Sequence, residues 1–394
     1  MDKIAVLITH GTDTLAWTHA FVRYAIKNNK INIAITGSQM PLPDLPNFSD
    51  AYINIANSVN FLTKIVPPNV FTVFNYGTQA FSDSLYKVDR WNNTAFAGDM
   101  IARIEWDEVK YSDKSISIAD SPVKLDKLYL LTTGGTITAA YNDNNVLSPS
   151  KKSMLEDFIK NQLGDAFKSI EECETLTIDS SDLTYEKMKI ITNKIMECMH
   201  KHGYKETFAD LAFDKNVRLI YADPFKTIAD YKREAEGASA LIIAGYGGGN
   251  INVEKDSDYS PLDMIRELTM SDIPVVLTSQ VALGPADFIY ENARVAIETG
   301  ALSGVDLSLP EIQIRLAYLL GHKAQITDFA KQKRIPFMQI FDRLFTSGRE
   351  FRTRNSKKMY HTLKGFIPNK EDVLINHTFD DSLYACIQGL GVRG

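Results

Sequence analysis

The feature that most restricts the fold of this chain is a wholly apolar run at 4–8, Ile-Ala-Val-Leu-Ile, followed by an amphipathic stretch over 13–28 and a second apolar run at 32–36. A strand without polar alternation suits a sheet covered on both faces, and strands separated by helix-length segments run parallel. The same rhythm predicts a helix over 48–63, strands over 70–75 and 128–131, and helices over 154–167 and 185–199. It resumes with strands at 217–222, 240–244 and 274–278, alternating with helical patterns near 226–236, 261–270, 288–299 and 309–321. Polar stretches at 107–127 and 202–216 read as connections. Two α/β domains are therefore expected, a larger one over 1–214 and a smaller one over 215–322, with an extension of no evident role over 323–394.

A length of 394 residues, 44% hydrophobic and 23% charged, is that of an ordinary globular protein with room for two domains. The net charge of −6 sets up a field that repels nucleic acid and anionic lipid, so a small molecule is the expected partner. No uncharged apolar run approaches the roughly 18 to 20 residues of a membrane helix. The first residues lack a basic leader and a small-residue cleavage site, which points to the cytoplasm. Cys173, Cys198 and Cys386 are far apart and outside any metal-ligand spacing, so free thiols and no metal or cofactor are expected. Gly245, Gly247 and Gly249 have the wrong spacing for a dinucleotide fingerprint, and no GxSxG elbow is present.

In parallel sheets, ligands bind beyond the carboxyl ends of strands. Three polar segments occupy such places: Thr9-His10-Gly11-Thr12-Asp13-Thr14, Thr133-Gly134-Gly135-Thr136-Ile137 and Ile178-Asp179-Ser180-Ser181-Asp182. Each alone also suits an ordinary role, a helix N-cap for the first and third and a tight turn for the second. Taken together, with Gly37-Ser38-Gln39-Met40, the turn 244–250 and Thr278-Ser279-Gln280, they resemble the signature segments of bacterial-type L-asparaginases, the cytoplasmic branch included, and of the related D-type component of the archaeal glutamyl-tRNA amidotransferase. The resemblance extends over nearly all of 1–322.

That resemblance implies a two-domain asparaginase-like fold, with a larger flavodoxin- or Rossmann-like parallel-sheet domain and a smaller α/β domain. In the family the TGGTI segment comes first, DSSD second and THGTDT third, whereas here THGTDT at 9–14 precedes TGGTI at 133–137. A circular permutation of the large domain restores the order, and the connections at 107–127 and 202–216 are where the chain would be rerouted.

By the same resemblance Thr136 matches the nucleophile that attacks a side-chain amide, and Thr12 the second threonine, which acts with Asp13 and a lysine. The segment 86–92 supplies Lys87 for that role, although a solvated surface position is the commoner fate of a lysine. A hydroxyl is a poor nucleophile until an adjacent base removes its proton. Backbone N–H groups at the Gly134-Gly135 turn, or at the helix start after Thr12, would hold the oxyanion. Ser180 and Ser181 match residues that hold the substrate's α-carboxylate and amide, Asp13 its α-ammonium, and Ser38 lies in a further matching segment. Asn250 matches a residue that reaches a neighbouring protomer's site, which implies a homodimer or homotetramer. Tyr141, on the segment after TGGTI, matches a tyrosine that closes over substrate, and a supporting acid stays open between Asp287 and Glu291.

The implied reaction is hydrolysis of L-asparagine to aspartate and ammonia. An ammonia-supplying glutaminase component of a tRNA-dependent amidotransferase and a catalytically silent binding module are the alternatives. The chain before residue 4 leaves no room for the extra N-terminal domain of the amidotransferase component, which favours a stand-alone enzyme. The locally basic stretches at 331–334 and 343–358 read as a solvated appendage, with an anionic partner as the other reading.

Overall fold

The computed structural model describes residues 2–346 except 43–48, 91, 106–107, 112–116, 119–121, 145, 150–154, 283–285, 287–289 and 305. Two compact units divide the chain, Met1–Leu211 and Ala212–Gly394.

In the first unit the sheet is built from β1 (Ile4–Thr9), β2 (Asn32–Thr36), β3 (Val70–Phe74), β4 (Gln79–Lys87), β5 (Phe96–Glu105), β6 (Glu108–Tyr111), β7 (Leu125–Gly134) and β8 (Phe167–Ile178). Their order across the sheet is β8-β7-β1-β2-β3-β4-β5-β6. The first five in that order are parallel, and the last three join as an antiparallel meander. Helices α1 (Leu15–Ala25), α2 (Ala51–Lys64), α3 (Leu155–Leu163) and α4 (Tyr185–Lys201) cover it.

Every residue of β1 is buried, which is why its sequence shows no polar alternation. Successive side chains nevertheless enter different cores. Val6 and Ile8, with Tyr129 and Leu131, pack against Val22 of α1 and Ile191 and Ile195 of α4. Ala5 and Leu7, with Leu128 and Leu130, pack against Ile55 and Leu62 of α2 and Ile159 of α3. The result is a three-layer helix–sheet–helix unit with its parallel strand ends gathered on one edge.

The structure adds elements that the sequence pattern does not mark. Gln79–Lys87, Phe96–Glu105 and Glu108–Tyr111 form the meander, so part of the expected connection at 107–127 is strand, and 167–178 is a further long strand at the sheet edge. Helix α1 is shorter than its amphipathic pattern, running Leu15–Ala25 within 13–28.

The second unit carries four parallel strands in sequential order, β9 (Val217–Tyr221), β10 (Ala240–Gly245), β11 (Val275–Ser279) and β12 (Leu302–Ser303). Helices α5 (Ile228–Ala235), α6 (Leu262–Met270) and α7 (Glu291–Glu298) supply Tyr231, Ile265 and Ala296 to one core. Helix α8 (Leu309–Gly321) supplies Leu316 to the other, together with α9 (Lys323–Lys333) and α10 (Phe337–Thr346). The described part of the expected extension is thus a helix pair carrying Phe329, Phe337, Phe341 and Phe345 into that core, while 347–394, Cys386 among them, lies outside the described residues. No described helix is long and apolar enough to cross a membrane.

Phe341 is fully buried, so Phe341→Ala is expected to lower stability by about 3–5 kcal/mol in denaturant unfolding of the intact chain. Phe225→Ala, at an 88% exposed position, should change it by no more than about 0.5 kcal/mol.

Candidate active site

The three polar segments leave β1, β7 and β8 at the same edge, because these strands are parallel neighbours, with Thr9 beside Thr132 and Gly134 beside Ile178. Gly134 and Gly135 have φ of 91° and 81°, a region that L side chains rarely adopt. A Cβ on Gly135 would fall on the backbone of Gly11, and one on Gly134 on Ile178. The two glycines therefore let the Thr136 turn lie directly against the Gly11 turn. Thr133 Oγ1 donates to Thr9 O at 2.9 Å, and Thr14 Oγ1 to Ser180 O at 2.7 Å, which ties the segments together.

Thr12 is buried and Asp13 exposed, both ahead of α1. Neither caps that helix, whose N-cap is Thr14. Instead Lys87, at the end of β4, donates from Nζ to Thr12 Oγ1 at 2.7 Å and to Asp13 Oδ1 at 2.7 Å. The lysine side chain is 19% exposed and the aspartate's 65%. A pair this open adds little stability, so its consequence is the position of the amine beside the hydroxyl.

His10, to which the sequence pattern assigns no role, organises the same turn. Its Nδ1 donates to Gly11 O at 2.7 Å and its Nε2 accepts from Thr18 Oγ1 at 2.8 Å. Complete burial lowers its pKa to about 4, so the ring is neutral. His19, buried in α1 and beside the Arg23 cation, is likewise lowered to about 4.

Thr136 opens a single 3-10 turn, Thr136–Thr138, and is half-buried. Ser180 is buried beside Gly11, where an added Cβ would meet its side chain. The Ser181 hydroxyl donates to Asp179 Oδ1 at 2.7 Å, and its N–H to the same atom at 2.8 Å. Helix α4 takes its cap from Thr184, so neither serine serves as its N-cap. Ser38 is fully buried and commits its hydroxyl to Met40 O at 2.8 Å. Tyr141 is 48% exposed on the hairpin of Ala139–Tyr141 and Leu147–Pro149. The Gly135 N–H, a candidate oxyanion donor by sequence, is already bonded to Ile178 O at 3.0 Å.

Asn250 lies in the second unit, in the turn closed by its pairing with Tyr246, and its Oδ1 has no hydrogen-bond partner among the described residues. Glu291 opens α7, while Asp287 lies outside the described residues. The chain thus brings together Thr12, Asp13 and Lys87 by direct contact, and the Thr136 and Ser180 segments by backbone approach.

Residues 2–117 and 127–205 match the family described as Asparaginase, N-terminal, and 216–332 match the Glutaminase/Asparaginase C-terminal domain. The chain belongs to the asparaginase family. It is an amidohydrolase of that kind, and its two-domain α/β fold is the asparaginase fold. Among curated relatives, the L-asparaginase of Thermococcus kodakarensis is 23% identical over 328 residues, 83% of this chain and 72% of that protein. The D-type component of the glutamyl-tRNA(Gln) amidotransferase of Methanosarcina acetivorans is 30% identical over 170 residues, 42% of this chain and 36% of that protein. L-asparaginase 1 of Escherichia coli is 34% identical over 89 residues, 23% and 24% of the two chains. Of solved structures, the thermostable L-asparaginase from Thermococcus kodakarensis aligns with a TM-score of 0.52 at 21% identity, over 84% of this chain and 74% of that one. L-asparaginase I of Vibrio cholerae aligns with a TM-score of 0.50 at 15% identity, over 88% and 75%.

Folded His10 and His19 take up protons only near pH 4, whereas unfolded histidine does so near 6.5. Between these values the unfolded chain holds more protons, so their contribution is full above about pH 6.5 and is lost as pH falls towards 4. Thermal melts across this range should show the decline, and His10→Gln should reduce its slope.

Proposed function

We propose that this asparaginase-family chain hydrolyses the side-chain amide of L-asparagine to aspartate and ammonia, with Thr136 as nucleophile and Thr12, Asp13 and Lys87 as the second catalytic group. The observation that carries the reading is the amine of Lys87 at 2.7 Å from both Thr12 Oγ1 and Asp13 Oδ1, brought from a strand some seventy residues away in sequence. As Thr136 Oγ1 bonds to the amide carbonyl carbon, its proton passes by way of Thr12 to Lys87 as base, with the Asp13 carboxylate facing the amine. That proton reaches the amide nitrogen as the C–N bond breaks and ammonia leaves, and a water attacks the resulting Thr136 ester, its proton returning to Thr136 Oγ1 as aspartate is released.

The α-ammonium of the substrate is assigned to Asp13, whose exposed carboxylate has room for a second cation, and its α-carboxylate and amide region to Ser180 and Ser181. With the Gly135 N–H already engaged, the donors for the oxyanion are assigned to the first-turn N–H groups of α1, where the helix dipole favours negative charge. Tyr141 closes the site from its hairpin. Asn250, with a side-chain oxygen unpartnered among the described residues, acts across the interface of a homo-oligomer.

We read the large domain as circularly permuted on the order of its strands. The first strand in the chain lies mid-sheet, with β7 and β8 from the second half of the unit on one side of it, so the THGTDT and TGGTI edges meet despite their reversed sequence order. A second reading, an ammonia-supplying glutaminase component, draws on the similarity to the glutamyl-tRNA(Gln) amidotransferase, of whose D-type component this chain matches about a third.

Ammonia release from L-asparagine and L-glutamine decides between them. Preference for asparagine, with losses of at least about a thousandfold in kcat for Thr136→Ala, Thr12→Ala and Lys87→Met, is the expected result. Release that survives in either threonine variant, or none from any amide, would remove the reading.

A further inference from the structure

The turn that follows β2 is fixed more firmly than its place at a loop requires. Asp50, buried ahead of α2, accepts at Oδ1 from the N–H of Gln39 at 2.9 Å and of Met40 at 3.3 Å. Its Oδ2 accepts from Asn54 Nδ2 at 2.9 Å, and that same amide nitrogen holds Gly37 O at 2.9 Å. Burial raises the Asp50 pKa, and the donors around the carboxylate oppose that rise.

From this fixed turn the Gln39 side chain extends to the connection that follows Lys87. Its Nε2 donates to Arg90 O at 3.0 Å and lies 3.3 Å from both Asp89 O and Asn92 O. Three carbonyl oxygens thus converge on one amide nitrogen. The connection is closed on itself by Val88 N to Ala95 O at 2.7 Å and Asn92 N to Asp89 Oδ1 at 3.0 Å. On the other side of Lys87, β4 is irregular, with Ser84 at φ 47° and register shifts from Ala80 to Tyr86.

We infer that Gln39 is a positioning residue for Lys87, its amide gathering the carbonyls of Asp89, Arg90 and Asn92 so that the lysine amine meets Thr12 and Asp13 together. The inference rests on the reading of Lys87 as the base. A bulged strand does not by itself fix the direction of its last side chain, and Lys87 is that residue. Removing the amide leaves three carbonyls without their common donor, and the connection relaxes. Misplacement of a reacting group by about 1 Å costs on the order of a hundredfold.

The test uses the full chain with Gln39→Leu and the isosteric Gln39→Glu. Both are expected to lower kcat for amide hydrolysis roughly 10- to 100-fold with KM within about twofold. Lowering the pH should restore part of the Gln39→Glu loss relative to wild type, because the carboxyl regains a donor when protonated. Separately, trace acetylation followed by peptide mass spectrometry should show Lys87 reacting several-fold faster in Gln39→Leu, with Lys64 and Lys187 unchanged. A kcat loss that merely follows a lowered melting temperature, or Lys87 reactivity equal to wild type, would overturn the inference. Should the wild type release no ammonia, the assigned function fails, and Lys87 reactivity alone still decides whether Gln39 holds it.

Discussion

The contact on which the site depends is between two backbones, Gly135 lying against Gly11 at the ends of neighbouring parallel strands. Nothing larger than hydrogen fits on Gly135, and its φ of 81° excludes most other residues on conformational grounds as well. Because β1, β7 and β8 point the same way, their carboxyl ends deliver three polar turns to one edge. The apolar strands beneath set the orientation of those turns, with helices pressed onto both faces. Hydrogen bonds from Thr133 to Thr9 and from Thr14 to Ser180 then lock the turns in register.

Around this edge the polar groups divide into those that act and those that hold. His10 is held neutral by burial and commits both nitrogens to Gly11 and Thr18. Ser38 commits its hydroxyl to Met40, and Asp50 its carboxylate to the turn that carries Gln39. Such satisfied, buried groups are costly to disturb and confer rigidity on what they touch. Lys87, by contrast, faces a hydroxyl and a carboxylate from a distant segment, and the carboxylate stays open to solvent. An amine so placed adds little to stability. The proposed chemistry follows from that asymmetry.

Much of this was legible in the residues. The parallel core strands showed as uninterrupted apolar runs, and the turns after them as glycine and hydroxyl clusters, since both follow from local chemistry. The 79–111 meander and β8 did not show. Phe167–Ile178 is an edge strand carrying Lys168, Glu171, Glu172 and Glu174, so its sequence lacks the apolar signal of a core strand. Bulges in β4 interrupt the alternation that would have marked it. Gln39 shows only as part of a matching segment and Asp50 not at all, because a polar residue near a turn has no signature of its tertiary partners. The pattern of α10 is strongly amphipathic, but whether its apolar face closes a core depends on what lies opposite it.

The sequence by itself determined the layered α/β class, the family to which the chain belongs and the identity of the polar segments, because strand burial and turn chemistry are properties of short stretches. Only the tertiary structure decided that Lys87 reaches Thr12 and Asp13, that the Gly135 N–H is already taken, and that α9 and α10 complete a core. Those facts depend on which strands become neighbours and in what order. That order is set by the packing of the whole sheet, over separations that no local pattern records.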